Sequence, residues 1–497
     1  MTGRLRTRDL PVFPVTATPI RPEVSPAVPA VHHAFDPIGP AAGPRIGLVT
    51  LGCDKNTVDS ERIMGALVGE GARVVPDVAD ADVIVINTCG FIEAAKEESV
   101  ETILEACALK SSGKVKAVVA VGCLVQRYKE ELAAEIPEVD LFLGLTEMQG
   151  LVSELRARGH LPEEESVIPV MERPLRILST DTLHTSHLKI SEGCDHTCAF
   201  CAIPHMRGLH RSAPVAELVR EARGLEARGV RELNLISQDT TWYGKDLRRK
   251  AVAATRSGGE AENTPLLPDL LRALLGETTI PWLRLFYMYP SGITEEIVEL
   301  LAGEPRLVPY LDMPIQHGSD AVLKRMRRPE RRDTIRERAG RLRSAIPELV
   351  LRTTVIVGFP GETECEFEEM LDLLAEVRFD RVGAFAYSLE EGTAAAEHPG
   401  HLSENEKRDR LEILMELQRQ ISFEKNEELI GRRDLLLVDR ILDDDPEHAG
   451  EGRTRGQALE VDGLTRILPG VELRPGAFVE VEIVDALDYD LIARVVA

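Results

Sequence analysis

The chain lacks any run approaching the ~18 consecutive apolar residues that a membrane helix needs, and no apolar stretch follows the basic residues near its start. A membrane span and a secretory signal are therefore not expected, and the reading is a cytoplasmic protein without membrane partners. Basic residues are in short supply: 59 Lys plus Arg stand against 83 Asp plus Glu, net −24. Self-repulsion of that size disfavours loose binding to nucleic acid and favours a basic partner, although a local basic patch stays open. No long internal repeat is present. At 497 residues the chain should divide into two to four domains.

Residues 1–44 hold nine prolines and no periodicity, so they cannot bury enough apolar surface to offset their ordering entropy. A disordered tail is expected there. From 45 to 165 short apolar runs (46–51, 83–87, 117–121) alternate with helical spacing (58–67, 92–109), which implies a doubly wound parallel sheet. A charged connector at Glu163–Glu165 and Pro174 leads to a second alternating region, taken as 180–415. Six strand candidates (187–190, 233–237, 283–287, 310–314, 353–357, 382–387) with helical stretches between them (216–227, 295–301, 367–375) predict an open, partial (β/α)6 barrel. The polar stretch 245–263 reads as a surface insertion loop, and 404–429 as a long amphipathic helix. Four short glycine-broken strands (435–438, 458–461, 479–484, 491–496) predict a small antiparallel barrel over 431–497.

Disulfides are a poor default in a cytosolic chain, so the eight cysteines turn attention to metal or redox chemistry. Cys194, Cys198 and Cys201 are separated by three and then two residues, which lets one loop wrap three irons of a 4Fe–4S cluster. No fourth thiolate lies nearby. The iron left open can take the amino and carboxylate groups of S-adenosylmethionine (SAM), whose reductive cleavage yields a 5′-deoxyadenosyl radical. The loop follows the first barrel strand, and barrel chemistry sits at strand carboxyl ends. A structural zinc loop is the plainer alternative, but it wants a fourth Cys or His, and His196 sits badly for that inside the loop.

Cys53, Cys89 and Cys123 are far apart in sequence, yet each follows a predicted buried strand and each adjoins a glycine. Strand ends of a parallel sheet share one edge, so the three thiols can converge on a second 4Fe–4S cluster. Taken singly, each would pass for a small core residue. Cys107, on an apolar helix face, and Cys365, at a helix start, are not expected to be ligands.

Two open clusters on one chain is the layout of the radical-SAM methylthiotransferases. Gly52-Cys53-Asp54-Lys55-Asn56, Asn87-Thr88-Cys89-Gly90-Phe91-Ile92 and the stretch from Ser191 to Cys201 closely resemble that family's signatures over residues 45–497. The terminal barrel resembles the family's TRAM domain, a substrate-binding module. Asp54-Lys55-Asn56, Ala94-Ala95-Lys96-Glu97-Glu98-Ser99 and Ser237 to Gly244 resemble the RimO-type branch rather than the branches that modify tRNA adenosines. That resemblance implies methylthiolation of one aspartate, at its β-carbon, in small-subunit ribosomal protein twelve, either free or on the ribosome. Charge agrees: residues 431–497 carry eight Arg and no Lys against fifteen Asp plus Glu, net −7. An acidic barrel suits a basic protein better than tRNA phosphate.

The implied cofactors are two 4Fe–4S clusters and SAM, with an electron donor from outside the chain. No catalytic side chain is assigned beyond the cluster ligands. Phe200 would either stack near the adenine or pack in the core. Ser237, Gln238 and Asp239 lie at a strand's carboxyl end within reach of SAM or substrate. Gln316-His317-Gly318 and Gly358-Phe359-Pro360-Gly361-Glu362 either line the site or form tight turns. Arg207 and Arg211 either position a carboxylate or make surface salt bridges. The alternatives are a tRNA methylthiotransferase and a non-catalytic, metal-stabilised adaptor that binds ribosomes.

Overall fold

In the computed structural model, which describes residues 37–163, 176–178, 182–256 and 264–496, the β-branched runs form the middle of a five-stranded parallel sheet. Strands β1 (Arg45–Thr50), β2 (Arg73–Val75), β3 (Val83–Thr88), β4 (Ala117–Gly122) and β5 (Leu141–Gly144) lie in the order β2-β1-β3-β4-β5. Every residue of β3 and β4 is buried, as strands covered on both faces must be. The helices α1 (Asp54–Gly69), α2 (Glu93–Ser111), α3 (Cys123–Glu135) and α4 (Leu151–Ala157) provide that cover. One apolar cluster joins Ile46, Leu67 and Val85, and the other joins Val49, Ile86 and Ile103.

β2 and β5 escape the sequence reading because so few residues show no period. Of the expected disordered tail, residues 1–36 lie outside the described residues. The remainder is ordered: Ile38 and Val74 exchange two backbone hydrogen bonds of 3.0 and 2.8 Å, which corrects the expectation for 37–44. Beyond Glu163 the charged connector and Pro174 also fall outside the described residues.

The middle region is a six-stranded parallel sheet in the order β13-β12-β11-β10-β9-β6. Its strands are β6 (Thr185–Lys189), β9 (Glu232–Ile236), β10 (Trp282–Leu285), β11 (Leu307–Asp312), β12 (Val350–Val357) and β13 (Arg381–Ala386), with β7 (Ser191–Glu192) and β8 (Arg211–Ser212) forming a small hairpin after β6. Helices α5 (Ile203–Arg207), α6 (Val215–Glu226), α7 (Lys245–Arg256), α8 (Leu267–Glu277), α9 (Glu295–Gly303), α10 (Asp320–Arg325), α11 (Arg332–Ala345) and α12 (Glu364–Val377) fill the connections. The stretch read as an insertion loop is therefore helical over Lys245–Arg256; its polar composition hides the repeat. Residues 257–263 lie outside the described residues. The long helix α13 (Glu404–Glu427) opens on a capping box in which Ser403 and Glu406 satisfy each other's backbone N–H. It runs unbroken through residue 415, so the expected boundary there falls inside one helix.

The C-terminal barrel closes in the order β14-β15-β16-β18-β17, from β14 (Arg433–Ile441), β15 (Gly450–Thr454), β16 (Thr465–Ile467), β17 (Phe478–Ala486) and β18 (Leu491–Val495). Its pairs are antiparallel except β16 with β18, which is parallel. The strand expected at 458–461 is a turn. β15 takes its place unannounced, because Gly450-Glu451-Gly452 carries no apolar alternation. A Cβ on Gly452 would lie 2.2 Å from the Leu437 carbonyl oxygen.

A buried charge network fastens this barrel to the amino ends of the central strands. Arg453 donates from Nε to Asp439 at 2.7 Å, pairs with Glu232 and reaches Thr185 Oγ1 at 3.0 Å. Glu232 also pairs with Arg284 at 2.8 Å, and His184 meets Asp439 at 2.9 Å. The barrel thus closes the end of the sheet remote from the catalytic rim. Replacing Arg453 with Met takes away the cation that Glu232 and Asp439 share, leaving Arg284 alone with the one and His184 with the other. The urea-unfolding free energy should fall by about 3–5 kcal/mol. No helix among the described residues is long and apolar enough to cross a membrane.

Candidate active site

β1, β3 and β4 are neighbours, and a cysteine leaves the carboxyl end of each. Cys53 caps α1, Cys89 follows β3 and Cys123 opens α3. Burial pushes Cys89 up to about 11 with a further contribution from Cys53, and pushes Cys123 up to about 12 with contributions from Cys53 and Cys89. The three thiols therefore share one electrostatic site. Burial disfavours the thiolates of Cys89 and Cys123 until a metal binds them.

The glycines beside them are steric requirements. Gly52 has φ 92°, and a Cβ there would stand 2.8 Å from Cys89 Sγ. Gly122 has φ 105°, and a Cβ there would stand 2.5 Å from Asn87 Oδ1. Replacing Gly122 with Ala should cost about 1–3 kcal/mol in strain alone and lower the iron retained after reconstitution, read by unfolding and iron assay.

Asn56, fully buried, explains the motif after Cys53. Its Nδ2 donates to the carbonyls of Leu51 (2.7 Å) and Thr88 (3.2 Å), tying two cysteine-bearing loops together. Its Oδ1 accepts from Arg207 Nη2 at 2.6 Å. Arg207 comes from α5 of the central region and also pairs with Glu192 (2.8 Å) and Asp59 (3.3 Å). Burial opposes its charge, but the charges of Cys123, Glu192, Asp59 and Cys53 outweigh that and hold it well above the ordinary guanidinium value. It is neither a surface salt bridge nor a free carboxylate receptor, the two readings the sequence left open. Arg211 is exposed. A cavity of about 340 Å³ opens beside this network, between α1, the segment from Leu145 to Val152 and Met206.

The second triad hangs between β7 and α5. Gly193, at φ 78°, lets the chain pass Leu209, and the Cys194 N–H donates to the Gly208 carbonyl at 3.0 Å. Ala199 is held from both sides, donating to Met326 O at 2.9 Å and accepting from Ala395 N at 2.8 Å. Burial pushes Cys194 and Cys201 up to about 12, and charge on Cys198 adds to both. Arg328 Nη1 approaches Cys198 Sγ at 3.9 Å while its guanidinium covers the Tyr289 ring at 3.8 Å. No group of three or more His, Cys, Asp or Glu side chains among the described residues is arranged to hold a metal ion; a four-iron cluster differs from a single ion in taking each thiolate on a separate iron. The donor set fits such clusters: two groups of three thiols with a buried cation near each.

His196 is engaged elsewhere: its Nε2 bonds Asp239 Oδ2 at 2.6 Å and its ring stacks on Tyr289 at 4.0 Å. Asp239, after β9, also accepts from the Thr241 N–H and hydroxyl, so its carboxylate orients the cysteine loop. Ser237 bonds Ser191. Gln238 reaches Glu192 at 3.5 Å and keeps a buried Oε1 with no hydrogen-bond partner. Phe200 is half-buried and packs on the cluster around Val322, Met326 and Phe359. Gln316 has φ 71° after β11 and bonds both ways with β12, to Thr354 O and from Ile356 N. His317 and Glu362 are buried 3.5 Å apart, with Arg410 holding Glu362 at 2.6 Å. A Cβ on Gly318 would lie 2.6 Å from Met370 Cα, so these turns also serve to seat α12. Cys107 is buried in the apolar face of α2, and Cys365 is exposed at the start of α12.

Sequence reasoning missed Tyr287, a non-glycine residue at φ 56°. Its ring lies 3.1 Å from Lys55 Nζ, and its hydroxyl donates to Asp54 at 3.2 Å. Only the folded chain brings the end of β10 to the residues after Cys53.

Fold and cysteine placement define a class: a radical-SAM methylthiotransferase, with its auxiliary-cluster domain, partial barrel and terminal barrel. Residues 45–144 match the uncharacterised protein family UPF0004, 188–374 the radical SAM superfamily and 430–496 the TRAM domain. The ribosomal protein uS12 methylthiotransferase RimO of Anaeromyxobacter sp. (strain K) is 46% identical over 91% of this chain and 93% of its own length. That of Geobacter sulfurreducens is 41% identical over 91% and 99%. The chain belongs to the RimO family of uS12 methylthiotransferases. Among solved structures, the radical SAM methyltransferase TsrM from Kitasatospora setae aligns over 79% of this chain and 78% of its own at a TM-score of 0.48 and 14% identity, too distant to bear on activity.

Proposed function

We infer that the chain transfers a methylthio group to the β-carbon of an aspartate in ribosomal protein uS12, using SAM and two 4Fe–4S clusters. The observation that carries this reading is the pairing of two cysteine triads across one interface, with Arg207 reaching from the α5 end of one to Asn56 at the other. Cys53, Cys89 and Cys123 would hold the auxiliary cluster; Cys194, Cys198 and Cys201 would hold the SAM-cleaving one. Bound there, the second cluster would relay an external electron into SAM, and the auxiliary cluster would carry or supply the sulfur that is transferred.

The chain's own residues then do three things. Arg207 compensates thiolate charge near the auxiliary site. The sequence Asp239–His196–Tyr289–Arg328 fixes the loop that carries Cys194 and Cys198. Gln238 Oε1, buried without a partner, offers an acceptor to SAM or substrate, with Ser237, Gln316 and Phe200 beside the same strand ends. The electron comes from an external donor, and the setting is cytoplasmic. The acidic terminal barrel favours a basic protein over tRNA.

Anaerobic reconstitution with iron, sulfide, SAM and reductant, offered both recombinant uS12 and bulk tRNA, tests the reading by mass spectrometry. A methylthio gain on one aspartate with unchanged tRNA is expected. A gain on tRNA would overturn the substrate, and a colourless, zinc-loaded protein would overturn the chemistry.

A further inference from the structure

SAM cleavage consumes one electron that no residue of this chain supplies, so the electron must enter across a surface. On a chain of net −24, one helix stands out: α7 carries five Lys and Arg against a single acidic residue, Asp246. It is anchored to the cysteine loop. Asp246 accepts from the Ser212 hydroxyl at 2.6 Å, and Gly244 N–H donates to the same Oγ at 2.8 Å. Arg249, itself 63% exposed, pairs with Asp195, the residue after Cys194.

Next to α7, in the short connection that leads from α5 into β8, Leu209 is 70% exposed, the most exposed large apolar residue among those described. Exposed Arg211 and Arg248 lie on β8 and α7. Gly208, the neighbour of Leu209, accepts the backbone hydrogen bond of Cys194. One peptide and one hydrogen bond therefore separate this surface from a proposed cluster ligand.

We propose that the face formed by Leu209, Arg211, Arg248 and Arg249 is the docking surface for an acidic one-electron carrier protein. The inference rests on the radical-SAM reading above. A single apolar contact ringed by cations matches the small, charge-steered interfaces of transient redox partners. The carrier gives up one electron and is oxidised; the cluster held by Cys194, Cys198 and Cys201 takes it and is reduced, with no atom exchanged. RNA phosphate is also drawn to cations, but it gains nothing from exposed Leu209 or from proximity to Cys194.

The test uses the full-length reconstituted enzyme with a bacterial flavodoxin, an acidic flavoprotein, as the probe. The variant Leu209→Ser/Arg248→Glu should bind flavodoxin about tenfold more weakly, with a flatter salt dependence. Flavodoxin-driven SAM cleavage should slow to match, while dithionite-driven cleavage stays near wild type. If the double variant folds poorly, Arg248→Glu alone allows the same comparison. Unchanged flavodoxin affinity overturns the proposal, as does a variant that keeps flavodoxin but loses binding to 30S subunits. Should wild-type enzyme fail to cleave SAM with dithionite, the radical reading falls, while the binding comparison still decides the docking surface.

Discussion

Replacing Cys198 with Ala should reduce 5′-deoxyadenosine formation to the background of the reductant alone. Cys198 sits mid-loop, its charge felt by both Cys194 and Cys201. It is also the thiol that Arg328 approaches at 3.9 Å. An open-iron cluster has three protein thiolates and no spare, so losing one leaves two irons without protein ligands. The fold should survive, because the loop is held by backbone bonds from Cys194 to Gly208 and from Ala199 to Met326. Chromatography of the reaction products, together with an iron assay and unfolding of the variant, separates loss of chemistry from loss of fold. Undiminished deoxyadenosine from a folded Cys198→Ala protein would sink the assignment of this loop.

Much of the architecture was legible because it rests on short-range chemistry. Buried β-branched runs such as those of β3 and β4 announce themselves, and the spacing of Cys194, Cys198 and Cys201 is a local property of one loop. The auxiliary triad needed one further step, from three strand–cysteine junctions to a shared sheet edge. What stayed hidden was long-range and polar. Arg207 reads as a carboxylate-positioning residue or a surface salt bridge until α5 is seen against α1, where Asn56 and Asp59 meet it. Tyr287 carries no mark of its left-handed backbone, since Asp312 accepts its N–H only after β10 and β11 pair. The helix α7 and the strand β15 went unread for a related reason, having too few apolar residues to display a period. The terminal barrel's acidity was visible, but not that Arg453 and Asp462 are turned inward, to Glu232 and to Tyr310.

Replacing Cys89 with Ala should separate the two halves of the reaction. Iron should fall from about eight to about four per chain, methylthio transfer to uS12 should stop, and deoxyadenosine formation should persist. The separation follows from position: Cys89 follows β3 of the five-stranded sheet, whereas Cys194, Cys198 and Cys201 lie in the loop between β7 and α5 of the central region. The backbone of Cys89 is secured independently of its thiol. Ser99 Oγ accepts from its N–H at 3.0 Å and donates to its carbonyl at 2.9 Å. The truncation removes one buried sulfur beside Gly52 and should cost little more than about 1 kcal/mol of stability. Arg207 keeps Asn56, Glu192 and Asp59 in this variant. The interface should therefore hold, and deoxyadenosine should form without sulfur insertion. Continued methylthio transfer by Cys89→Ala would remove the auxiliary site from the chemistry. Loss of both products from a folded protein would mean that the two sheets act as one electronic unit rather than two.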